Sequence, residues 1–192
     1  MKRTAKRDRF FTVSLQLIYK KGFKATTMRD IAHELDFKVA NVYNYIDSKQ
    51  SLLESYIFDL QDEFHDAIDA ILSSTQSPKE KLQLTISSYI QITAERPYEQ
   101  ALLVNEWRNL KEAKLEEFIT RRKSYEDKIS IIIHAGVKKK EFRPINVAFS
   151  TQTILASLRW LYLKFMNEET TTKTMEIDKE MSVFLLAAIV EK

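Results

Sequence analysis

Residues 22–53 read GFKATTMRDIAHELDFKVANVYNYIDSKQSLL, and this stretch decides the fold. Gly22 follows Lys20 and Lys21, the order that ends a helix: cations near the carbonyl terminus, then a residue free to take positive φ. Thr26 or Thr27 can cap the next helix, with Asp30 three residues beyond Thr27 as a short form of capping box. Met28, Ile31, Ala32 and Leu35 supply its buried face. Asp36 offers a break, since Asp tolerates left-handed backbone, and it is also the better candidate cap for the third helix. Residues 37–46, FKVANVYNYI, alternate nearly enough for a strand. A lone strand in a helical chain has no partner edge, so a helix is expected, with Phe37, Val42 and Ile46 inward.

Helical periodicity continues on both sides. The first helix is expected from about Thr4 to Lys21, with Phe10, Val13, Leu17 and Ile18 on one face. Ser48 caps a long helix, 48–72, that carries Leu52, Leu53, Tyr56, Ile57, Leu60, Phe64, Ile68 and Ile71. Pro78 and Pro97 open further helices, and an amphipathic segment runs from Lys111 to Ala135. Gly136 and Pro144 are expected to bracket a basic turn, Lys138–Lys140, and the last two helices to span 146–166 and 174–190. The count is about nine helices, an all-α protein.

Composition agrees. Of 192 residues only 2 are Gly and 3 are Pro, against roughly 12 % in average usage. That argues against a hairpin-rich β fold and against an enzyme with a glycine-rich phosphate loop. There is no cysteine, which excludes disulfides, thiolate zinc sites and a Cys nucleophile. His33, His65 and His134 lie far apart without a companion ligand set, and no nucleophile–base pair stands out, so neither metal, cofactor nor enzymatic activity is expected. No apolar run approaches a membrane span and no signal segment follows the basic N-terminus; a cytoplasmic protein is expected. The net charge of +3 is uneven: residues 1–50 hold 11 Lys or Arg against 5 Asp or Glu, and the rest 19 against 22. A basic head on a mildly acidic body suits a polyanion-binding module fused to something else.

Three short helices within the first 46 residues make a helix-turn-helix candidate. Residues 22–53 closely resemble the signature of the TetR family of transcriptional repressors: an aromatic after the glycine, Thr26-Thr27, Asp30-Ile31-Ala32, the Tyr43 and Tyr45 pair, then Lys49 before Leu52-Leu53. The resemblance implies a DNA-binding domain over 1–48 and a helical ligand-binding and dimerisation domain over 49–192. The family pattern often has Gly where Asp36 stands and Ser where Lys38 stands.

Lys38, Val39, Ala40 and Asn41 lie at the exposed start of the third helix, where base edges are reached; Val39 and Ala40 suit a thymine methyl, and Asn41 and Asn44 suit adenine. By resemblance, Thr27, Tyr43, Tyr45 and Lys49 are phosphate or base-edge contacts. Half-site recognition implies a homodimer on a palindromic operator. The interface is expected on the last two helices, through Ile154, Leu155, Leu158, Leu161, Tyr162, Phe165, Met181, Phe184, Leu185 and Ala188.

Residues 105–143 and 157–165 resemble, more loosely, a subset of the family whose effectors are acyl coenzyme A thioesters. Leu103, Trp107, Phe118, Tyr125 and Trp160 would hold the hydrophobic part, and Arg108, Arg121, Arg122 or Arg159 would meet phosphates. The expected function is a ligand-responsive repressor released from its operator by a hydrophobic effector. An activator or corepressor-dependent regulator of the same fold is the alternative.

Overall fold

Gly22 closes the first helix as its position predicts. It takes φ +84°, and its N–H reaches the Ile18 carbonyl at 2.8 Å. The computed structural model describes residues 2–166 and 171–190, with side chains over 5–166 and 174–190. Among the described residues lie α1 (Lys2–Lys21), α2 (Met28–Glu34), α3 (Val39–Val42), α4 (Lys49–Ser73), α5 (Pro78–Glu95), α6 (Pro97–Asn105), α7 (Glu112–Lys138), α8 (Val147–Arg159), α9 (Tyr162–Phe165) and α10 (Thr171–Ala187). A 3-10 turn, Trp107–Asn109, joins α6 to α7. Two of the ten helices, α3 and α9, are single turns of four residues. The all-α expectation is met. None of the described helices is long and apolar enough to cross a membrane.

The chain forms two compact units, Met1–Leu60 with Tyr98–Phe118, and Gln61–Pro97 with Ile119–Lys192. These compact units differ in extent from the two domains expected over 1–48 and 49–192. The first unit runs on to Leu60 and recruits a central segment, because Leu102, Leu110 and Phe118 are buried in one core with Phe10, Ile31, Val42 and Leu53. A helix-turn-helix of under 50 residues buries too little surface to be comfortable alone, and these additions enlarge its core.

In the first unit Thr27 and Asp30 form the full capping box: Thr27 Oγ1 accepts from the Asp30 N–H, and Asp30 accepts from the Thr27 N–H at 2.8 Å. The Thr27 hydroxyl, donating to Asp30 Oδ2 at 2.6 Å, then Lys21 at 2.9 Å and the Thr27 N–H, hold the Asp30 carboxyl well below the usual range. Asp36 does adopt the left-handed conformation, φ +57°. It does not cap the third helix, whose N-cap position is Lys38 with no side-chain hydrogen bond. Helix α3 is also shorter than 37–46. After Val42 the backbone tightens into i→i+3 bonds, Asn44 to Asn41 and Tyr45 to Val42, and Tyr45 turns inward. Its ring stacks between Phe10 at 4.9 Å and Phe37 at 6.0 Å, and this tertiary contact outweighs local helix propensity.

In the second unit Ser77 and Glu80 form another capping box ahead of Pro78, and α10 packs along α5. Phe64 of α4 meets Tyr89 of α5 and Tyr125 of α7. A polar ladder joins α4 to α7: Asp62 pairs with Arg121, His65 Nε2 donates to the Arg121 carbonyl at 3.1 Å, and Lys128 reaches both His65 Nδ1 and Asp69. Two expectations change. Gly136 lies inside α7 rather than at a turn, with the Phe142 ring against its bare Cα; the turn comes at Lys139 and Lys140. The helix expected over 146–166 breaks at Trp160 and Leu161, where i→i+3 bonds from Leu161 to Leu158 and from Leu163 to Trp160 replace the α-helical pattern.

Candidate nucleic-acid interface and effector residues

The third helix presents one face to the core and one to solvent. Val42 is fully buried, whereas Val39 is 38 % and Tyr43 52 % exposed, and Lys38, Ala40, Asn41 and Asn44 are exposed beside them. Thr27 and Arg29, at the start of α2, are exposed too. This is a mixed edge of one cation, two carboxamides, a phenol and small apolar groups, the chemistry that reads bases and meets phosphates. Arg29 is absent from the set expected on sequence grounds, although its place in the first turn of α2 beside Thr27 is a signal for it.

Two residues expected at this interface face inward. Tyr45 is half-buried in the aromatic stack with Phe10 and Phe37. Lys49 extends its ammonium to the carbonyls of Phe23 at 2.7 Å, Lys24 at 3.3 Å and Thr26 at 2.6 Å, with the Phe23 ring 4.5 Å beneath it. Its three N–H donors are matched by three acceptors, so here Lys49 straps the α1–α2 turn.

The expected effector residues divide between the two units. In the first, Leu103 is half-buried against the core, Trp107 stacks on Phe118 at 5.3 Å, and the Arg108 guanidinium lies 4.4 Å over the Trp107 ring. In the second, Tyr125 packs edge-on to Phe64 and His65, and burial pushes its phenol up. Arg121 pairs with Asp62, while Arg122 and Arg159 both reach Glu126 Oε1 at 3.3 Å. Three of the four arginines therefore have carboxylate partners, which an incoming phosphate would have to displace. Trp160 caps α8 and is exposed. The second unit also has an open groove of about 410 Å³ lined by Ser87, Ile90, Gln91, Ala94, Met175 and Asp178, none of them in the expected set. Among the described residues no group of three or more His, Cys, Asp or Glu is placed to hold a metal.

The expected dimer stripe needs correction. Ile154, Leu155, Leu158, Leu161, Tyr162, Phe165 and Leu185 are buried within one chain, and Met181 is half-buried. Only Phe184, 71 % exposed, and Ala188 face solvent. The unpartnered apolar groups on these helices lie one position round: Phe149 (72 % exposed), Trp160 and Leu163 on the α8–α9 side, Val183 and Phe184 on α10. Periodicity alone does not tell which face of these helices their own chain covers, because a continuous apolar stripe looks the same whether it is covered by its own chain or by another.

Comparison with known proteins agrees with this arrangement. Residues 11–56 match the family model described as bacterial regulatory proteins, tetR family, and residues 75–186 match tetracyclin repressor-like, C-terminal domain. The HTH-type transcriptional repressor KstR2 of Mycolicibacterium smegmatis is 25 % identical over 162 residues, covering 81 % of this chain and 79 % of that protein. Among solved structures, the ketosteroid transcriptional regulator KstR2 of Mycobacterium tuberculosis superposes with a TM-score of 0.90 at 18 % identity, over 97 % of this chain and 95 % of that one. AibR in complex with isovaleryl coenzyme A and operator DNA superposes with a TM-score of 0.77 at 18 % identity, over 96 % and 98 %. With its buried Val42, its exposed Val39–Asn44 edge and both halves matched, the chain belongs to the TetR family of bacterial regulatory proteins.

Proposed function

We propose that this protein is a homodimeric repressor that binds a palindromic operator and is released by a hydrophobic effector of the acyl coenzyme A class. The observation that carries the DNA reading is the exposed edge of Lys38, Val39, Ala40, Asn41, Tyr43 and Asn44, held by the burial of Val42 behind it. A helix of this kind enters the major groove, and two copies related by a two-fold axis meet half-sites about 34–36 Å apart. Thr27, Arg29 and Tyr43, all exposed, meet the flanking phosphate backbone in this reading. Dimerisation uses the exposed Phe149, Trp160, Leu163, Val183 and Phe184, apolar side chains that burial against a second copy would take out of water.

The effector reading is supported by the likeness to AibR, whose structure contains isovaleryl coenzyme A, and by the KstR2 relatives, one of which is named for ketosteroids. Trp107, half-buried over the core ring of Phe118, offers aromatic surface for an acyl chain, and Arg108 a cation beside it. Effector binding favours a DNA-incompetent conformation; a 100-fold loss of operator affinity needs about 2.7 kcal/mol of coupling. Selection of DNA from random sequence by the pure protein should enrich a palindrome, and acyl coenzyme A thioesters of graded chain length should then release it. Enrichment without symmetry would remove the dimeric reading; release by free fatty acids alone would remove the thioester.

A further inference from the structure

Both backbone polar groups of Phe23 are gripped by distant side chains. Its carbonyl accepts from Lys49 Nζ at 2.7 Å, and its N–H donates to Glu106 Oε1 at 3.2 Å. The two grips come from 26 and 83 residues away in the chain. Glu106 sits between α6 and the 3-10 turn, anchored by its own N–H on the Leu102 carbonyl at 2.8 Å, and its second oxygen accepts from Asn109 Nδ2. The opposing backbone is Gly22, where a Cβ would stand 3.8 Å from Glu106 Oε1. Nearby, Gln50 at the start of α4 donates to the Asn109 carbonyl at 3.2 Å, a second tie to the same segment.

Phe23 opens the loop that sets α2, and through it α3, against α1. An amide in that loop with no acceptor would leave the loop free to shift, whereas a charge-assisted bond to a half-buried carboxylate fixes it. We infer that Glu106 is a positioning residue for operator recognition: its carboxylate holds the Phe23 amide, and so lets the 98–118 segment set where the recognition edge stands. This rests on the repressor reading above, and it adds a named joint. Trp107, the aromatic proposed to meet the effector, is the next residue in the chain, so a displaced Trp107 carries Glu106 with it. Operator affinity and effector occupancy are then coupled through one hydrogen bond in the first unit.

Three full-length proteins test this: wild type, Glu106→Leu and Glu106→Gln. Gln keeps an oxygen for the Phe23 amide, and its new amide is met by Asn109 turned over; Leu offers no acceptor. Binding is read by fluorescence anisotropy on the DNA selected by the wild type, and Phe23 amide protection by hydrogen exchange. Glu106→Leu should lose Phe23 protection and bind operator about 10-fold or more weakly, with dimer mass and helix content unchanged. Glu106→Gln should stay within about threefold of wild type, a rescue that loss of packing alone would not give. Wild-type affinity in Glu106→Leu, or equal damage in both variants, would overturn the inference. If Glu106→Leu does not fold, Glu106→Ser, too short to reach the amide, takes its place with the same expectations. Should the wild type select no DNA at all, the repressor reading fails. In that case Phe23 exchange alone decides the clamp: unchanged protection in the Leu or Ser variant overturns it.

Discussion

The rings of Tyr45 and Phe10 lie nearly parallel, 4.9 Å apart and 15° from coplanar, so an aromatic from the recognition segment is part of the core of α1. Its neighbour two residues back, Tyr43, points the other way into solvent. Under the proposed function, the pair separates stability from recognition. Tyr45→Ala should cost about 2–4 kcal/mol in urea unfolding, whereas Tyr43→Ala should change stability by about 0.5 kcal/mol or less. Operator affinity should fall in Tyr43→Ala under conditions where the protein is fully folded. A Tyr43 variant that binds as tightly as wild type would show that the phenol lies outside the DNA contact.

Asp36 occupies a conformation that favours glycine, φ +57°, without serving as a cap. Relief of that strain should make Asp36→Gly more stable by about 1 kcal/mol, less the entropy glycine gains in the unfolded chain. Equilibrium denaturation measures it; a less stable variant would mean that the carboxylate makes a compensating contact.

The proposed dimer can be dissected by exposure. Phe184→Glu combined with Phe149→Glu should yield folded monomers with lost operator binding, whereas Leu158→Glu, buried in one chain, should unfold the protein. Sedimentation velocity and circular dichroism distinguish the two. A dimer surviving the surface pair would place the interface elsewhere.

His65 gives a pH signature. Desolvation first, and then Lys128, hold its imidazole below the ordinary value, so the folded state keeps it neutral. The unfolded chain takes up a proton near pH 6.5 and the folded one only at lower pH. The stability associated with neutral His65 is thus complete above about pH 6.5 and lost as pH falls toward the folded value. Unfolding free energy should decline from pH 7.5 to 5.5, and His65→Gln should flatten that slope.

Much of this is legible in the sequence, and the gaps have one cause. Caps and stops are local, so Gly22, the Thr27–Asp30 box and the bend at Asp36 can be read directly. Tyr45 cannot, because the ring that draws it inward is Phe10, 35 residues upstream. Lys49 resembles a phosphate ligand by position, yet its acceptors belong to the α1–α2 loop. Glu106 carries no motif, since its partner is a backbone amide, which has no sequence signature. The apolar stripe of 154–165 reads correctly as buried; which surface buries it is a fact of three-dimensional packing.

Phe142 fills the space a methyl group would need at Gly136. The two positions are accordingly not independent in heredity: a lineage can enlarge one only after trimming the other. Gly136→Ala alone should be damaging, Phe142→Leu alone should leave a void, and the double substitution should recover part of both losses. Thermal denaturation of the four proteins checks it. Among descendants of this chain, residues 136 and 142 are expected to change as a couple, glycine with an aromatic or alanine with a smaller aliphatic.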